Sequence, residues 1–514
     1  VGLISAAVVA AVLMICPATG AGSTGPDGVR VTNQQQITSR VLELTVETPA
    51  FVAPTRLHVN LPVGYNADPA RRWPVTYFTA GTMNRYSAFN EQLDGEELTE
   101  DYPSIVVSPD ANSGYWSDWF NAGQFGPPMY ETFVIEQLIP LIDGRFRTIP
   151  NRSHRAIFGI SMGGYGAMML AARHPDLFSA AASLSGAVDS NIPTNGAVLS
   201  LSSTFDGAPA NAIYGPRLTQ EVRWRGHNPT DLAANLRGLH LQVRSANGTL
   251  NPALGEGGDP NDVLSCAVEA GTWAASINLH EAFEELGINH SWTDYGDGCH
   301  SRGNFLREVR DTLEAFALVF DGPPAKPARV DFRSFEPDFR IWGWRVKAES
   351  KRALEFMRLR VAGPKLSLEG SGLTSVTSPP RYRGLKRVSV GDDVIRVGSD
   401  GRLRFKVNLG RAHETQQYTP GAVTEMTRRT VKLKPHAEIR ISRAEWASRR
   451  LRLCAQSIGG SVPRPRIAGG LKLRRAITPA PRCFKLRFDR RPERVVILGR
   501  DRFGHPVRAG AGVS

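Results

Sequence analysis

The pentapeptide Gly159-Ile160-Ser161-Met162-Gly163 constrains this chain more than any other stretch. A serine with a glycine two residues to either side marks a strand–turn–helix in which the serine sits at a strained backbone angle. A side chain at either glycine would clash with the turn. The flanks fit that local structure. Ala156-Ile157-Phe158 reads as a buried strand, and Gly164, Gly166, Ala167, Met168, Met169 and Leu170 suit a helix pressed against a sheet. With 50 glycines in the chain, a chance match to so short a pattern is common. The strand before it, the helix after it and a histidine downstream give it weight.

At 514 residues the chain exceeds what one compact core holds, and two domains are expected. Apolar runs at Val41–Val46, Leu57–Leu61, Val75–Thr79, Ser104–Val107, Ala156–Ile160, Ala180–Leu184 and Leu239–Val243 read as strands. They alternate with helical patterns at Thr132–Ile142, Met162–Arg173, Val263–Leu286 and Phe305–Phe320. That alternation predicts an α/β domain over 30–320, a mostly parallel sheet covered by helices on both faces. The Pro- and Gly-rich stretch from Asp321 to Pro327 opens a linker over 321–330. Beyond it, Asp400-Gly401 heads the alternating run Arg402–Leu409, and Val431–Leu433, Ile439–Ile441 and Val495–Leu498 look similar. Residues 331–514 are therefore expected to form an all-β domain, a sandwich, with arginines on the solvated strand faces.

The run Leu3–Cys16 is too short to span a bilayer. With the small residues Ala18-Thr19-Gly20-Ala21 behind it, it predicts a secretory signal peptide over 1–21 and a secreted or cell-envelope protein. Four further cysteines divide two and two, which suits a Cys266–Cys299 bond in the first half and a Cys454–Cys483 bond in the second. Charge divides unevenly. Residues 321–514 hold 43 Lys and Arg against 17 Asp and Glu, or +26, while the remainder holds 19 against 32, or −13. Such asymmetry points to separate partners or to attraction between the halves. The basic residues are spread along strands of a secreted chain, so nucleic acid is not expected as a partner.

Ser161 needs a general base. Tyr295-Gly-Asp-Gly-Cys-His300-Ser301 supplies one on a glycine-rich loop between a strand at His290–Tyr295 and the last helix. His290 is a weaker rival because it opens a strand. The acid belongs after the strand Leu239–Val243, yet Ser245–Asn251 contains no carboxylate. From the residues alone Glu256, Asp259, Asp262 and Glu269 stay open. No His, Cys and Asp cluster has metal-ligand spacing, and neither metal nor cofactor is implied.

At this point the chain resembles a known family, the esterase D branch of α/β-hydrolases, and within it the antigen-85 type mycolyltransferases. The elbow with Gly164, the stretch Ala172-Arg-His-Pro-Asp-Leu-Phe178 and Ser183-Leu-Ser-Gly186 are shared across the branch. Tyr115-Trp-Ser-Asp-Trp119 and Tyr130-Glu-Thr-Phe133 are closer to the mycolyltransferases. The resemblance covers roughly residues 40–320 and implies the α/β-hydrolase fold there. It selects Glu269 as the acid, from Val268-Glu269-Ala270 at matching spacing before Ser276–Phe283. It also implies an oxyanion hole made by the backbone N–H groups of Met162 and Thr82. The mycolyltransferases carry an acidic residue and an arginine where this chain has Ala80 and Met83, which argues against trehalose as acceptor. Arg302 replaces their tryptophan after the His-Ser pair.

The expectation is a secreted serine esterase or acyltransferase. Its substrate is an acyl ester and its acceptor water or a carbohydrate hydroxyl, through Ser161, His300 and Glu269. The alternatives are a simple carboxylesterase acting on small or carbohydrate esters, and a cell-envelope binding protein with a hydrolase scaffold. The basic domain is expected to favour anionic envelope surfaces.

Overall fold

A computed structural model describes residues 28–121, 128–422, 425–469 and 471–514; the expected signal peptide over 1–21 lies outside them. Nine strands form the first sheet: β1 (Arg30–Gln36), β2 (Val41–Glu47), β3 (Thr55–Asn60), β4 (Val75–Thr79), β5 (Ile105–Pro109), β6 (Arg155–Ile160), β7 (Ala180–Leu184), β8 (His240–Ser245) and β9 (Ser291–Asp294). Their order is β1-β2-β3-β5-β4-β6-β7-β8-β9. The first three pairings are antiparallel and the five from β5–β4 to β8–β9 are parallel. The helices that matter for the site are α1 (Met162–Arg173), α2 (Pro193–Ser202), α3 (Asp262–Glu285) and α4 (Arg302–Asp321).

The central strands β4, β6 and β7 are buried throughout because both faces are covered. Tyr77, Ile157 and Ala181 point into the core that holds α1, while their neighbours Phe78, Phe158 and Ala182 pack with Val309, Leu313 and Phe316 of α4. This is the period-two alternation of a strand, with a helix layer on each side. Burying Phe158 completely contributes about 1.5–3 kcal/mol relative to leaving it exposed.

Two local departures from the sequence reading have physical causes. Strand β1, Arg-Val-Thr-Asn-Gln-Gln-Gln, escapes a search for apolar runs because it is an edge strand facing water almost throughout. The helix expected at Thr132–Ile142 is α-helical at Tyr130–Thr132 and Ile139–Arg145 but π-helical over Phe133–Leu138. Pro140 offers no N–H to the carbonyl four residues back and its ring crowds that carbonyl, which favours the wider winding before it.

After α4 the chain is antiparallel. A six-stranded sheet (Arg329–Ser334, Met357–Ala362, Lys365–Gly370, Thr427–Pro435, Arg387–Val390, Asp393–Arg396) and a four-stranded one (Asp338–Ile341, Trp344–Ala348, Leu373–Thr377, Arg404–Asn408) share one core. Outward residues alternate as the sequence predicts: Phe405 and Val407 are buried, and Arg404, Lys406 and Asn408 between and beside them are exposed. The sequence reading expects a single sandwich, whereas a second core lies further on. It sits between the sheet Glu438–Ala447, Arg450–Ile458, Arg482–Arg487 and the sheet Arg466–Ile467, Arg494–Arg500, Pro506–Gly512. Apolar alternation shows which face of a strand is buried but not which sheet buries it.

The contacts between the α/β part and the antiparallel part run against the net charges. Arginines of the acidic half reach into the basic half: Arg173 pairs with Glu336 at 2.9 Å, and Arg223 and Arg225 lie over the rings of Phe335 and Tyr418. Gly226 lets Phe335 approach, since a Cβ there would fall 2.0 Å from the ring. Arg173 is bonded at its other end to buried Glu131 at 2.7 Å, which also contacts His174 at 2.7 Å. Burial by itself would raise the Glu131 carboxyl, but Arg173, with help from His174 and His227, outweighs it and holds the group well below the usual carboxylate range. Its neighbour Asp118 feels the same Arg173 only weakly. Burial, reinforced by the Glu131 charge, lifts it to about 6.

Candidate active site

Ser161 occupies the turn between β6 and α1 with φ 60° and ψ −123°. This is a conformation a serine adopts only when its surroundings enforce it. The enforcement is visible at both glycines. A Cβ on Gly159 would lie 2.1 Å from Thr79 Oγ1, and one on Gly163 would lie 1.8 Å from the Thr79 carbonyl oxygen. Strand β4 therefore presses against the turn from one side, and the Ser161 amide donates to the Leu184 carbonyl at 3.0 Å on the other.

The loop after β4 abuts the same serine. A Cβ on Gly81 would come 3.4 Å from Ser161 Cβ. Thr82 follows, and Met83 has a left-handed backbone (φ 61°) and is exposed. The amides of Met162, at the first position of α1, and of Thr82 donate to no protein acceptor among the described residues. The loop is fixed from behind by Trp116, whose indole N–H donates to the Ala80 carbonyl at 3.3 Å. Gly166 of α1 makes room for that indole, because a Cβ there would fall 2.2 Å from it.

Ser161, Ser185 and Ser245 lie at or just past the carboxyl ends of the adjacent parallel strands β6, β7 and β8, where ligands bind in open α/β sheets. Above the second and third is Glu269, fully buried on α3. Its Oε1 accepts from Ser185 Oγ at 2.6 Å, Ser245 Oγ at 2.9 Å, the Ala246 amide at 2.9 Å and Asn304 Nδ2 at 3.3 Å. Its Oε2 lies 2.7 Å from Nδ1 of His300. A carboxylate so well supplied with donors is held in one orientation and fixes the imidazole with it. The hydrogen-bonded set ends at His300, whose ring makes no hydrogen bond with Ser161 Oγ among the described residues.

The rival carboxylates lie elsewhere. Glu256 braces the histidine loop, accepting from the Cys299 amide at 3.0 Å, Ser301 Oγ at 2.5 Å and the Asn251 amide at 2.8 Å. Asp259 and Asp262 bond only within the turn at the start of α3. His290 pairs with His280, away from these groups. Two disulfides join the cysteines as the sequence pairs them, Cys266 to Cys299 with Cα atoms 4.2 Å apart and Cys454 to Cys483 at 3.9 Å. The first ties the helix of Glu269 to the loop of His300. Closing a loop of that length contributes roughly 3–4 kcal/mol. Arg302 adds a further tether, donating to the Gln92 carbonyl at 2.8 Å and pairing with Asp94.

Sequence reasoning missed the groups around Glu269: Ser185, Ser245, Asn304 and Glu308. Ser185 stands in the segment Ser183–Gly186 that carries part of the family resemblance, which was the only available signal. Glu308 had none, since it falls within a helix where a glutamate reads as a solvated charge. In the structure it is fully buried, and its Oε1 lies 3.0 Å from the same Ser185 Oγ that reaches Glu269. One hydroxyl has one proton and cannot donate to both carboxyls. Ser185 therefore donates to Glu269 and accepts from a protonated Glu308. Burial, then the neighbouring Glu269, pushes the Glu308 carboxyl well above its ordinary value, in the direction this geometry requires.

Comparison with known proteins identifies a family for the first half of the chain. A sequence model of the family described as putative esterase matches residues 49–308, just over half the chain. The chain is similar to esterase Rv1288 of Mycobacterium tuberculosis, 28% identical over 294 residues, which are 56% of this chain and 62% of that protein. It thus spans less than two thirds of that relative. It is also similar to the diacylglycerol acyltransferase/mycolyltransferase Ag85B of Mycobacterium leprae, 29% identical over 206 residues, 38% of this chain and 60% of that protein. Among solved structures, MPT51 of Mycobacterium tuberculosis aligns with a TM-score of 0.45 and 21% identity, over 54% of this chain and 97% of that one.

Proposed function

The chain belongs to the putative esterase family, and on that footing we propose that it is a secreted serine esterase or acyltransferase working through Ser161, His300 and Glu269. Ser161 Oγ attacks the ester carbonyl while His300 Nε2 takes its proton, and Glu269 holds Nδ1–H and stabilises the imidazolium. The tetrahedral oxyanion is met by the amides of Met162 and Thr82. The C–O bond then breaks, His300 returns the proton to the departing alcohol, and an acyl-enzyme remains. Water or a carbohydrate hydroxyl attacks it in the same way, giving the acid or the transferred ester.

The observation that carries this reading is the conjunction of a strained serine elbow with a histidine held 2.7 Å from a fully buried, donor-saturated glutamate. Exposed apolar side chains support an acyl substrate: Val198 and Leu201 on α2, and Val263, Leu264 and Val268 on α3, the last adjoining Glu269. The acyltransferase in the name of the Mycobacterium leprae relative supports transfer as well as hydrolysis, with Ala80 and Met83 pointing to an acceptor other than trehalose. A fluorophosphonate probe should label the native chain on Ser161. Acyl release should be followed across an ester chain-length series with and without a sugar acceptor. Failure to label would favour the binding-scaffold reading.

The antiparallel half supports a second role, attachment to an anionic envelope surface. In the register of the strands Arg450–Ile458 and Arg482–Arg487, Arg450 faces Arg487 and Arg452 faces Lys485, all exposed. Like charges set opposite each other cost stability unless an anion lies over them. The rival, docking of the basic face onto the acidic half, is poorly served by an interface whose arginines come from the acidic side. No described helix is long and apolar enough to cross a membrane. Full-length protein should bind phosphatidylglycerol vesicles in a salt-sensitive way and ignore phosphatidylcholine ones. Reversing Arg450, Arg452, Lys485 and Arg487 to Glu should weaken that binding at least about tenfold. Equal binding by the reversed variant would remove the strip from consideration.

A further inference from the structure

Toward the other end of α3 from Glu269, three side chains converge that ester chemistry does not use. His280 and Glu284 stand one turn apart near the helix end, and His290 precedes β9. One ligand atom from each lies within 4.8 Å of the others. Ligand spacing along the chain did not reveal this group, because His290 belongs to a different element and only the fold returns it to α3.

We propose that His280, Glu284 and His290 form a binding site for a divalent transition-metal ion of the zinc class. Nδ1 of His290 lies 2.9 Å from the Ile288 carbonyl oxygen. A carbonyl only accepts, so Nδ1 bears the hydrogen and the lone pair of neutral His290 sits on Nε2. That lone pair points inward, 2.7 Å from Nδ1 of His280 and 3.9 Å from a carboxylate oxygen of Glu284. A backbone carbonyl fixing the outer nitrogen of a histidine is how metal-ligating imidazoles are oriented.

The rings are held in place before any ion arrives. Trp292 stacks on His280 with centroids 5.4 Å apart and planes at 14°, and Phe283 packs against His290 at 5.0 Å. The His290 side chain is 3% exposed and that of Glu284 67%, so the site has a closed floor and an exposed third ligand on the side from which an ion enters. Without metal, His280 donates its Nδ1 hydrogen to His290. With metal, that hydrogen moves to Nε2 of the same ring, a change of tautomer without a change of charge.

Tetrahedral coordination with bonds of ~2.0–2.1 Å sets ligand atoms about 3.3 Å apart. The two nitrogens must therefore part by roughly half an ångström while Glu284 swings in. Two imidazoles and one carboxylate select zinc, copper(II) or nickel(II) over calcium or magnesium, which require oxygen-rich shells. Water would complete the sphere. His280 is eleven residues along the helix from Glu269, about 16 Å by helical rise, so the ion takes no part in catalysis. It would instead pin the start of β9, a four-residue edge strand, to α3. From that strand the chain runs on to Cys299 and His300.

The test uses the full-length chain, stripped of metal and titrated with zinc chloride by calorimetry and with cobalt(II) by visible absorption. Saturable one-to-one zinc binding in the micromolar range is expected, together with the d–d bands of tetrahedral cobalt and no response to calcium or magnesium. His280→Ala and His290→Ala should each weaken zinc binding at least about tenfold. Glu284→Gln, on the exposed helix surface and harmless to the fold, should weaken it less but measurably. Circular dichroism separates a misfolded histidine variant from a folded one that has lost its ligand. Absence of saturable zinc uptake by the native chain, or uptake unaltered in all three variants, would leave a simple His280–His290 hydrogen bond in place of a site.

Discussion

Replacing Ser161 with alanine is expected to lower ester turnover by about 10⁵–10⁶-fold while leaving the circular-dichroism spectrum unchanged, because in the proposed mechanism Ser161 and His300 act as one unit. Glu269→Gln should cost about 10³–10⁴-fold. The Glu269 carboxylate is the group at 2.7 Å from Nδ1 of His300, and an amide there can present an N–H where an acceptor is needed, leaving the imidazole in the wrong tautomer. The informative comparison is with Glu308. It is as deeply buried and shares the Ser185 hydroxyl, but its proton makes it a neutral donor, which a glutamine amide imitates. Glu308→Gln should therefore stay within roughly tenfold of native kcat/KM. Asp259→Asn and Asp262→Asn, confined to their own turn, should do nothing measurable. A large loss in Asp259→Asn with little in Glu269→Gln would overturn the choice of acid. Equal losses in Glu269→Gln and Glu308→Gln would mean that the two carboxyls share one proton rather than dividing the roles.

Arg173→Met is expected to destabilise the protein by about 3–5 kcal/mol, the cost of leaving a buried carboxylate without its cation. Arg173 and Glu131 are each about one-tenth exposed or less, and the same guanidinium reaches Glu336 in the antiparallel half. At the size of this α/β part the melting temperature should fall by roughly 6–20 °C. Adding Glu131→Gln to Arg173→Met should recover part of the loss, since a neutral amide no longer demands a partner. The sign of the pH dependence follows from the lowered folded value of Glu131. Its contribution is complete above its ordinary value of 4.5 and is lost as the pH falls through the lower folded value. Native protein should lose stability on acidification by more than the double variant. A single variant melting within a degree or two of native would show that Arg173 is not what keeps Glu131 charged.

Much of the candidate site was proposed without coordinates, for a definite reason. The elbow is local: Gly159, Ser161 and Gly163 meet their constraint within one turn of chain, and the flanking apolar residues declare strand and helix by their own periodicity. The proposal of His300 came from the glycine-rich loop that carries it, and the cysteine pairs were legible from their division between the halves. Glu269 was not. Residues alone left it level with Glu256, Asp259 and Asp262, and the family resemblance was needed to separate them. In the fold the four differ completely. One faces His300, one braces the histidine loop from behind, and two bond only within the turn that leads into α3.

What the sequence determined by itself is therefore whatever depends on short-range sterics and on the period of apolar side chains. That includes the strained serine, most strands of the parallel sheet, α1, α3 and α4, and the inward–outward alternation of the antiparallel half. Only tertiary structure decided the rest. It set Ser185 between two buried carboxyls, so that one of them must keep its proton, and it returned His290 to His280 and Glu284. It also turned the boundary between the halves into one where arginines of the acidic part reach the basic part, and split the antiparallel region into two cores. Each of these depends on which distant segments share a low-dielectric neighbourhood, and a side chain's charge and partners there are fixed by neighbours that lie far away along the chain.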